Sequence, residues 1–443
     1  LSRAFFLDKL YPMARILLVN PPIYDFSAYD FWLKPYGLLQ IAGSLRKGTK
    51  LYLFDYLDRS SPSIPRRARL RSDQWGRGEF YGEIVPKPSI FSQIPRYYRR
   101  FGLPRKIFQD FLLQEHPFDF ALIQTGMTYW YMGVREVIQD IQTFSPQTKI
   151  VLGGIYATLC PHHACELGAD LVIQGSDTGA LWDLLGISPC RGLPFWEGYK
   201  DLKFGVLKLT DGCPFRCNYC SAPLMYPGFM PRPLDRSLAE LFFLYELGVK
   251  NVAFYDDALL FQSQKILIPF LQEVLKQRIE VNFHTPNALN PRLVTQEVAG
   301  LMVEAGFKTF YLGFESASYQ WHKDVGGKLH PDELAQAVEI LTRAGANPAS
   351  ITAYVLIGHP SIDEKSLESS IHFVHRLGIR VMFSEFSPIP STPGGQVSQK
   401  WVDMEEPLWH NKTVFPILLF GEIKVNRLKE LCRRLNRRLS QVN

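Results

Sequence analysis

Between residues 14 and 180, short apolar runs alternate with stretches of helical period. Ala14 to Asn20 is an apolar run that stops at Pro21-Pro22, and Tyr36 to Leu45 has helical spacing. Further strand-like runs are Lys50 to Tyr56, Phe118 to Thr125, Lys149 to Gly154 and Ala169 to Gly175, with a helical stretch at Val134 to Thr143. Apolar strands separated by helices predict a doubly wound parallel sheet covered on both faces. Ligands in such a sheet bind beyond the carboxyl ends of the strands. A second series predicts strands at Phe204–Leu209, Asn251–Tyr255, Glu280–Phe283, Thr309–Gly313, Ile351–Ile357 and Arg380–Phe386. Helical stretches separate them. Six βα units are too few for a closed eight-stranded barrel and predict a partial (β/α)6 barrel. The fold class expected is therefore α/β, and strand-end residues are the ones to read for chemistry.

The same pattern sets the expected boundaries. Residues 1–183 form the first domain, with an insertion at 59–117. Residues 184–202, rich in Trp, Pro and Gly, read as a linker; 203–398 form the barrel and 399–443 an extension. Within that extension Leu428, Leu431, Cys432, Leu435 and Leu439 share one helical face, decorated by seven Lys/Arg and one Glu. That helix suits the barrel's flank, an anionic membrane surface or a partner.

Composition narrows the class. A chain of 443 residues with 46% hydrophobic and 21% charged residues is an ordinary globular protein. No apolar run reaches the length needed to span a bilayer. The start, Leu1 to Leu10, is too charged for a signal peptide. Seven cysteines do not form a disulfide framework, and a reducing cytoplasm is the expected location. The net charge of +6 is concentrated: residues 59–106 hold twelve Lys/Arg against three Asp/Glu, interleaved with rings such as Trp75, Tyr97 and Tyr98. Basic-plus-aromatic is the composition of nucleic-acid surfaces. No recognition motif accompanies it, so nucleic acid is not the expected partner.

Candidate chemistry centres on Cys213-Pro-Phe-Arg-Cys217-Asn-Tyr-Cys220, directly after the first barrel strand. Three thiolates spaced C-x3-C-x2-C can hold three irons of a [4Fe–4S] cluster and leave the fourth open, whereas electron-transfer clusters use four cysteines. The competing reading is zinc. Zinc needs a fourth ligand, and His162 and His163 lie about fifty residues upstream. The run Cys160-Pro-His162-His163-Ala-Cys165 falls where a helix should start and reads as structural.

The triad, with Tyr219 before its last cysteine, resembles the radical S-adenosylmethionine (SAM) signature. The resemblance implies a cluster on Cys213, Cys217 and Cys220 whose open iron chelates SAM. Reductive cleavage would yield a 5′-deoxyadenosyl radical that abstracts hydrogen from an organic substrate. An electron donor such as flavodoxin or ferredoxin is also implied. Strand-end residues then take cofactor-binding roles by the same resemblance: Asp256 and Asp257 toward the SAM ammonium, His284 toward substrate or ribose, Glu315 and Ser316 toward ribose or carboxylate, and Gly358 toward adenine. The first domain is similar to the cobalamin-binding domains that precede many radical SAM domains, through Pro21-Pro22, Thr125 and the pair Gly153-Gly154. That resemblance implies corrinoid contacts at Thr125, Gly153 and Gly154. The chain departs from the cobalt-ligating D-x-H-x-x-G motif, because residues 20–40 contain no histidine. With cobalamin, methyl transfer to an unactivated carbon is expected. Without it, rearrangement, elimination or cyclisation is the alternative, and an iron–sulfur nucleic-acid-binding or redox-sensing protein is the non-enzymatic one.

Overall fold

The computed structural model describes residues 13–442, apart from 46–47, 66–67 and 326–328. The start of the chain, Leu1 to Leu10, lies outside the described residues. Five strands, β1 (Ala14–Asn20), β2 (Thr49–Asp55), β3 (Phe120–Thr125), β4 (Lys149–Gly154) and β5 (Leu171–Ile173), form one parallel sheet in the order β5-β4-β3-β1-β2. The order reverses between β1 and β3, which is the switch point where such sheets bind ligands. The strands are apolar because helices such as Tyr36–Ser44 and Tyr131–Phe144 cover both faces.

Six further strands run in sequence order, all parallel: β6 (Gly205–Leu207), β7 (Asn251–Phe254), β8 (Asn282–Leu289), β9 (Phe307–Glu315), β10 (Ile351–Ile357) and β11 (Arg380–Glu385). This is the expected partial barrel. Two strands are longer than the apolar pattern indicated. The β8 strand continues through Thr285-Pro-Asn-Ala to Leu289 with shifted register, so polar residues occupy what looked like its exit. The β9 strand begins at Phe307 and ends on Glu315.

The basic insertion is built into the protein rather than spread on its surface. Arg100 is buried and pairs with both oxygens of Glu136 on helix Tyr131–Phe144, at 2.7 and 2.9 Å. Arg105 grips Asp140 on the same helix at 2.8 and 2.9 Å. Arg59 binds Asp30 at 3.1 Å, and Arg77 binds Asp73 at 2.6 Å and Tyr311 of β9. Arginine suits these sites because its planar fork matches a carboxylate in two places. Part of the charge excess along this stretch is thus matched by acids outside it.

The C-terminal extension returns to the first domain. Asn411 donates to Asp25 at 2.9 Å, and His410 Nδ1 meets the Thr128 hydroxyl at 2.9 Å. The last helix, Glu422–Val442, buries Val425, Leu428, Cys432 and Leu435. Its Asn436 accepts the Val381 N–H and donates to the Val381 carbonyl, satisfying the free edge of β11. The apolar face of this helix therefore covers the barrel's flank. Among the described residues no helix is long and apolar enough to cross a membrane.

Candidate active site

The cysteine loop leaves β6 and passes through a short pairing of Thr210–Asp211 with Met230–Pro231 before helix Ala222–Met225 closes it. Cys213, Cys217 and Cys220 are all half-buried. The Ala222 N–H donates to the Cys220 sulfur at 3.5 Å. Burial pushes the Cys220 thiol up to about 12, and Cys217, Asp257 and Cys213 add to the rise. Thiolates crowded together in this way need cations to be stable, and the iron of a cluster supplies them. The described residues contain no set of three His, Cys, Asp or Glu side chains gathered on a single metal ion. A cluster makes a different demand, since each thiolate takes its own iron. The donor set fits a [4Fe–4S] group held by Cys213, Cys217 and Cys220.

The strand ends facing this loop divide into scaffold and open groups. Asp256 is buried, and its Oδ1 accepts the Thr210 N–H at 2.7 Å, the Thr210 hydroxyl at 2.6 Å and the Leu209 N–H at 2.9 Å. Burial raises its carboxyl to about 6. Expected at the SAM ammonium, Asp256 is committed instead to the backbone that launches the cysteine loop. Asp257 is solvent-accessible, yet surrounding protein raises its carboxyl, and its charge reaches Lys208 and Cys220. It is the member of the pair that opens on the loop.

His284 also departs from the expectation. Because β8 is long, this residue lies in its lower half rather than at its exit. Its ring nitrogens meet Thr309 Oγ1 and Asn251 Oδ1, each at 3.1 Å, and Trp32 stacks on it at 4.4 Å. Burial lowers it to about 3, so it is a neutral, fully bonded core histidine. Ser316 is buried; its hydroxyl accepts the Ser318 N–H at 3.1 Å and its carbonyl accepts His322 Nε2 at 2.7 Å. It shapes the turn after β9.

Glu315 is different. It ends β9 with φ +60°, a conformation that costs a non-glycine residue energy and collects at functional sites. Burial alone raises its carboxyl to about 7. No hydrogen bond or ion pair satisfies it among the described residues, and its charge reaches Tyr219 on the cysteine loop. Tyr219 stacks on Trp321 at 6.2 Å and meets the edge of His359 at 6.3 Å. His359, next to Gly358, accepts the Ser361 N–H on Nδ1 at 3.2 Å and leaves its buried Nε2 without a partner. Trp321 and His359 carried no signal in the sequence beyond aromatic identity, since they reach the loop only through the fold. Gly358 has φ +93°, and a side chain there would strike Pro416 of the extension at 2.5 Å.

The carboxyl ends of β1, β3 and β4 leave little room. The Thr125 hydroxyl donates to the Gly153 carbonyl at 3.0 Å and accepts the Ala157 N–H at 3.0 Å. A Cβ on Gly154 would sit 2.4 Å from the Thr125 carbonyl, so this glycine serves its own sheet. Trp130 donates to the buried Asp25 at 3.0 Å, and the crevice between Asn20, Pro22 and Trp130 has a volume of about 50 Å³. Cofactor pockets run to roughly 300–1,000 Å³. Thr125, Gly153 and Gly154 thus hold one another at the strand ends.

The Cys160–Cys165 run forms two short helices, and His163 Nδ1 meets the Tyr156 hydroxyl at 2.5 Å.

Residues 207–374 match the family model described as the Radical SAM superfamily. The barrel is a radical SAM domain. An uncharacterized methyltransferase of Pyrococcus horikoshii is 28% identical to this chain over 192 residues, covering 43% of the chain and 40% of that protein. The bacteriochlorophyllide d C-12(1)-methyltransferase of Chlorobaculum tepidum is 27% identical over 279 residues, covering 56% and 59%. The chain spans about half the length of these curated relatives. The radical SAM methyltransferase TsrM of Kitasatospora setae superimposes with a TM-score of 0.64 at 15% identity, over 87% of this chain and 76% of its own. It has been solved with tryptophan and a SAM analog, and also with cobalamin and a [4Fe–4S] cluster. At that identity the likeness establishes the fold alone: a parallel α/β sheet domain followed by a partial (β/α)6 barrel. The radical SAM family uses a [4Fe–4S] cluster and SAM.

Proposed function

We propose that this protein cleaves SAM reductively and directs the resulting radical at an organic substrate. The observation that carries the reading is the cysteine loop at the carboxyl end of β6, facing the carboxyls of Asp257 and Glu315, which have no hydrogen bond or ion pair among the described residues. When bound, the cluster supplies the electron that splits SAM into methionine and a 5′-deoxyadenosyl radical. The chain's own residues do the rest. Cys213, Cys217 and Cys220 hold three irons. Asp257 accepts from the SAM ammonium, and charge-assisted hydrogen bonds of this kind are short and strong. Glu315, kept near neutrality by burial, ionises against the same cationic ligand. The Tyr219–Trp321 stack walls the site from water. A small low-potential carrier such as flavodoxin or ferredoxin is the electron donor on this reading, and residues 1–183 and 203–398 act as its two domains.

The test is anaerobic reconstitution of the full chain with iron and sulfide, followed by measurement of 5′-deoxyadenosine. Replacing all three cysteines with Ala should abolish both cluster and product. A triple variant that still makes 5′-deoxyadenosine would falsify the assignment. Methyl transfer is the second reading, favoured by the methyltransferase names of the relatives and by the cobalamin bound in TsrM. Titration with hydroxocobalamin decides whether a corrinoid takes part.

A further inference from the structure

The inner wall of the barrel does not meet the first domain everywhere. On the β9–β11 side they enclose a cavity of about 1,100 Å³, bounded by Thr309, Tyr311, Thr352 and Met382 of the barrel and by segments 27–31 and 74–77 of the first domain. That exceeds the roughly 300–1,000 Å³ of ordinary small-molecule sites. The β8 side of the lumen is filled, by contrast, because Trp32 and Trp75 pack on His284.

Its chemistry is one-sided. Arg77, Lys308, Arg380 and Lys412 line it, and no Asp or Glu does. Arg77 is matched by Asp73. Lys308 and Lys412 make no ion pair among the described residues, and the acid nearest in influence to Lys412 is the buried Asp25, whose carboxyl burial raises. Flat surfaces supply the remaining contacts: Phe31 sets its ring edge-on to Tyr311 at 5.1 Å, and Tyr311 stacks on Tyr354 at 5.5 Å. Such rings favour flat, unsaturated ligands over chains. Tyr311 precedes Glu315 by four residues on β9, about 13 Å of strand. Phe307, Lys308 and Arg380 open their strands and Ser350 precedes β10, so the cavity lies at the amino-terminal end of the barrel, the end opposite the cysteine loop. Lys308 and Met382 are exposed, so the cavity communicates with solvent.

We infer that this cavity binds a polycyclic organic anion. The inference does not depend on the SAM reading. The probes are 1-pyrenecarboxylate and the isosteric neutral 1-pyrenemethanol, titrated by fluorescence against the anaerobically reconstituted full chain. The carboxylate should bind at least about tenfold more tightly, because four cations and no Asp or Glu line the cavity. The double variant Lys308→Glu/Lys412→Glu should abolish that preference, and Met382→Trp should weaken both probes by filling the space. Cluster content reports folding of each variant. Equal affinity of the wild type for the two probes, or a preference that survives charge reversal, overturns the inference even where SAM is cleaved normally. Charge-selective binding without SAM cleavage supports the cavity and counts against the radical reading alone.

Discussion

Asp256 and Thr210 are joined by two hydrogen bonds, one to the Thr210 N–H at 2.7 Å and one to its hydroxyl at 2.6 Å. The contact ties the exit of β7 to the start of the cysteine loop. It gives the neighbouring acids opposite roles.

Asp256→Ala should therefore damage the scaffold. Hydrogen bonds to a charged group are worth about 1.5–3 kcal/mol, and the stranded N–H groups add a penalty. A loss of about 3 kcal/mol in urea unfolding is expected, with poor cluster retention. Asp257→Ala should change stability by no more than about 0.5 kcal/mol and lower SAM affinity by about one to two orders of magnitude. Isothermal titration with SAM separates them. Normal cluster content in the Asp256 variant, or normal SAM affinity in the Asp257 variant, contradicts the division.

Glu315 makes stability depend on pH with a definite sign. Its folded carboxyl is raised from 4.5 to about 7. Between those values the folded state keeps a proton that the unfolded chain has released. Stability thus falls as pH rises through this window and levels off above it. Glu240, also raised to about 7 by burial, acts in the same direction. Glu315→Gln should flatten part of the slope. The variant should gain up to about 3 kcal/mol at pH 8 and little at pH 4.5, while binding SAM more weakly. Thermal unfolding of the cluster-free protein at the two pH values is the measurement. A variant that unfolds like the wild type at both would remove Glu315 from this account.

Gly358 and Pro416 are in competition for one space. Gly358→Ala places a Cβ 2.5 Å from Pro416 and forces φ +93° on a residue that resists it. A loss of about 2 kcal/mol or more is expected. Pro416→Ala in the same chain should restore part of it. Additive losses in the double variant would show that the strain lies in the backbone alone.

Arg100 tests the meaning of the basic insertion. Arg100→Ala leaves the buried Glu136 without its counter-charge, with the Tyr24 hydroxyl still donating to it, and should cost about 3–5 kcal/mol. Arg71, largely exposed, should tolerate Ala within about 0.5 kcal/mol. Salt-dependent RNA binding lost in the Arg71 variant but retained by the wild type would return the insertion to a nucleic-acid role.

The apolar periodicity of the chain was enough to read both sheets and the six βα units, because buried parallel strands are nearly continuous apolar runs. Strand ends were harder. Pro286 and Asn287 look like a loop, yet β8 runs through them to Leu289, and His284 thereby moves from the mouth into the wall. Acid identity alone could not divide Asp256 from Asp257, since their difference is which one faces Thr210. Arg100 and Glu136 are 36 residues apart, so the insertion's charge looked unspent until the fold brought its counter-ions in. Thr125, Gly153 and Gly154 carried the pattern of a ligand loop, and their bonds to one another are visible only in three dimensions.

The contact between Asn411 and Asp25 closes the chain across 386 positions. A ribosome delivers Asp25 long before Asn411. Over that interval Asp25 has Trp130 as a donor but lacks Asn411, and β11, once made, has an open edge until Asn436 follows. The cysteine loop is made midway through that interval. The cysteine loop is thus complete before the C-terminal segment that closes over the first domain has been made.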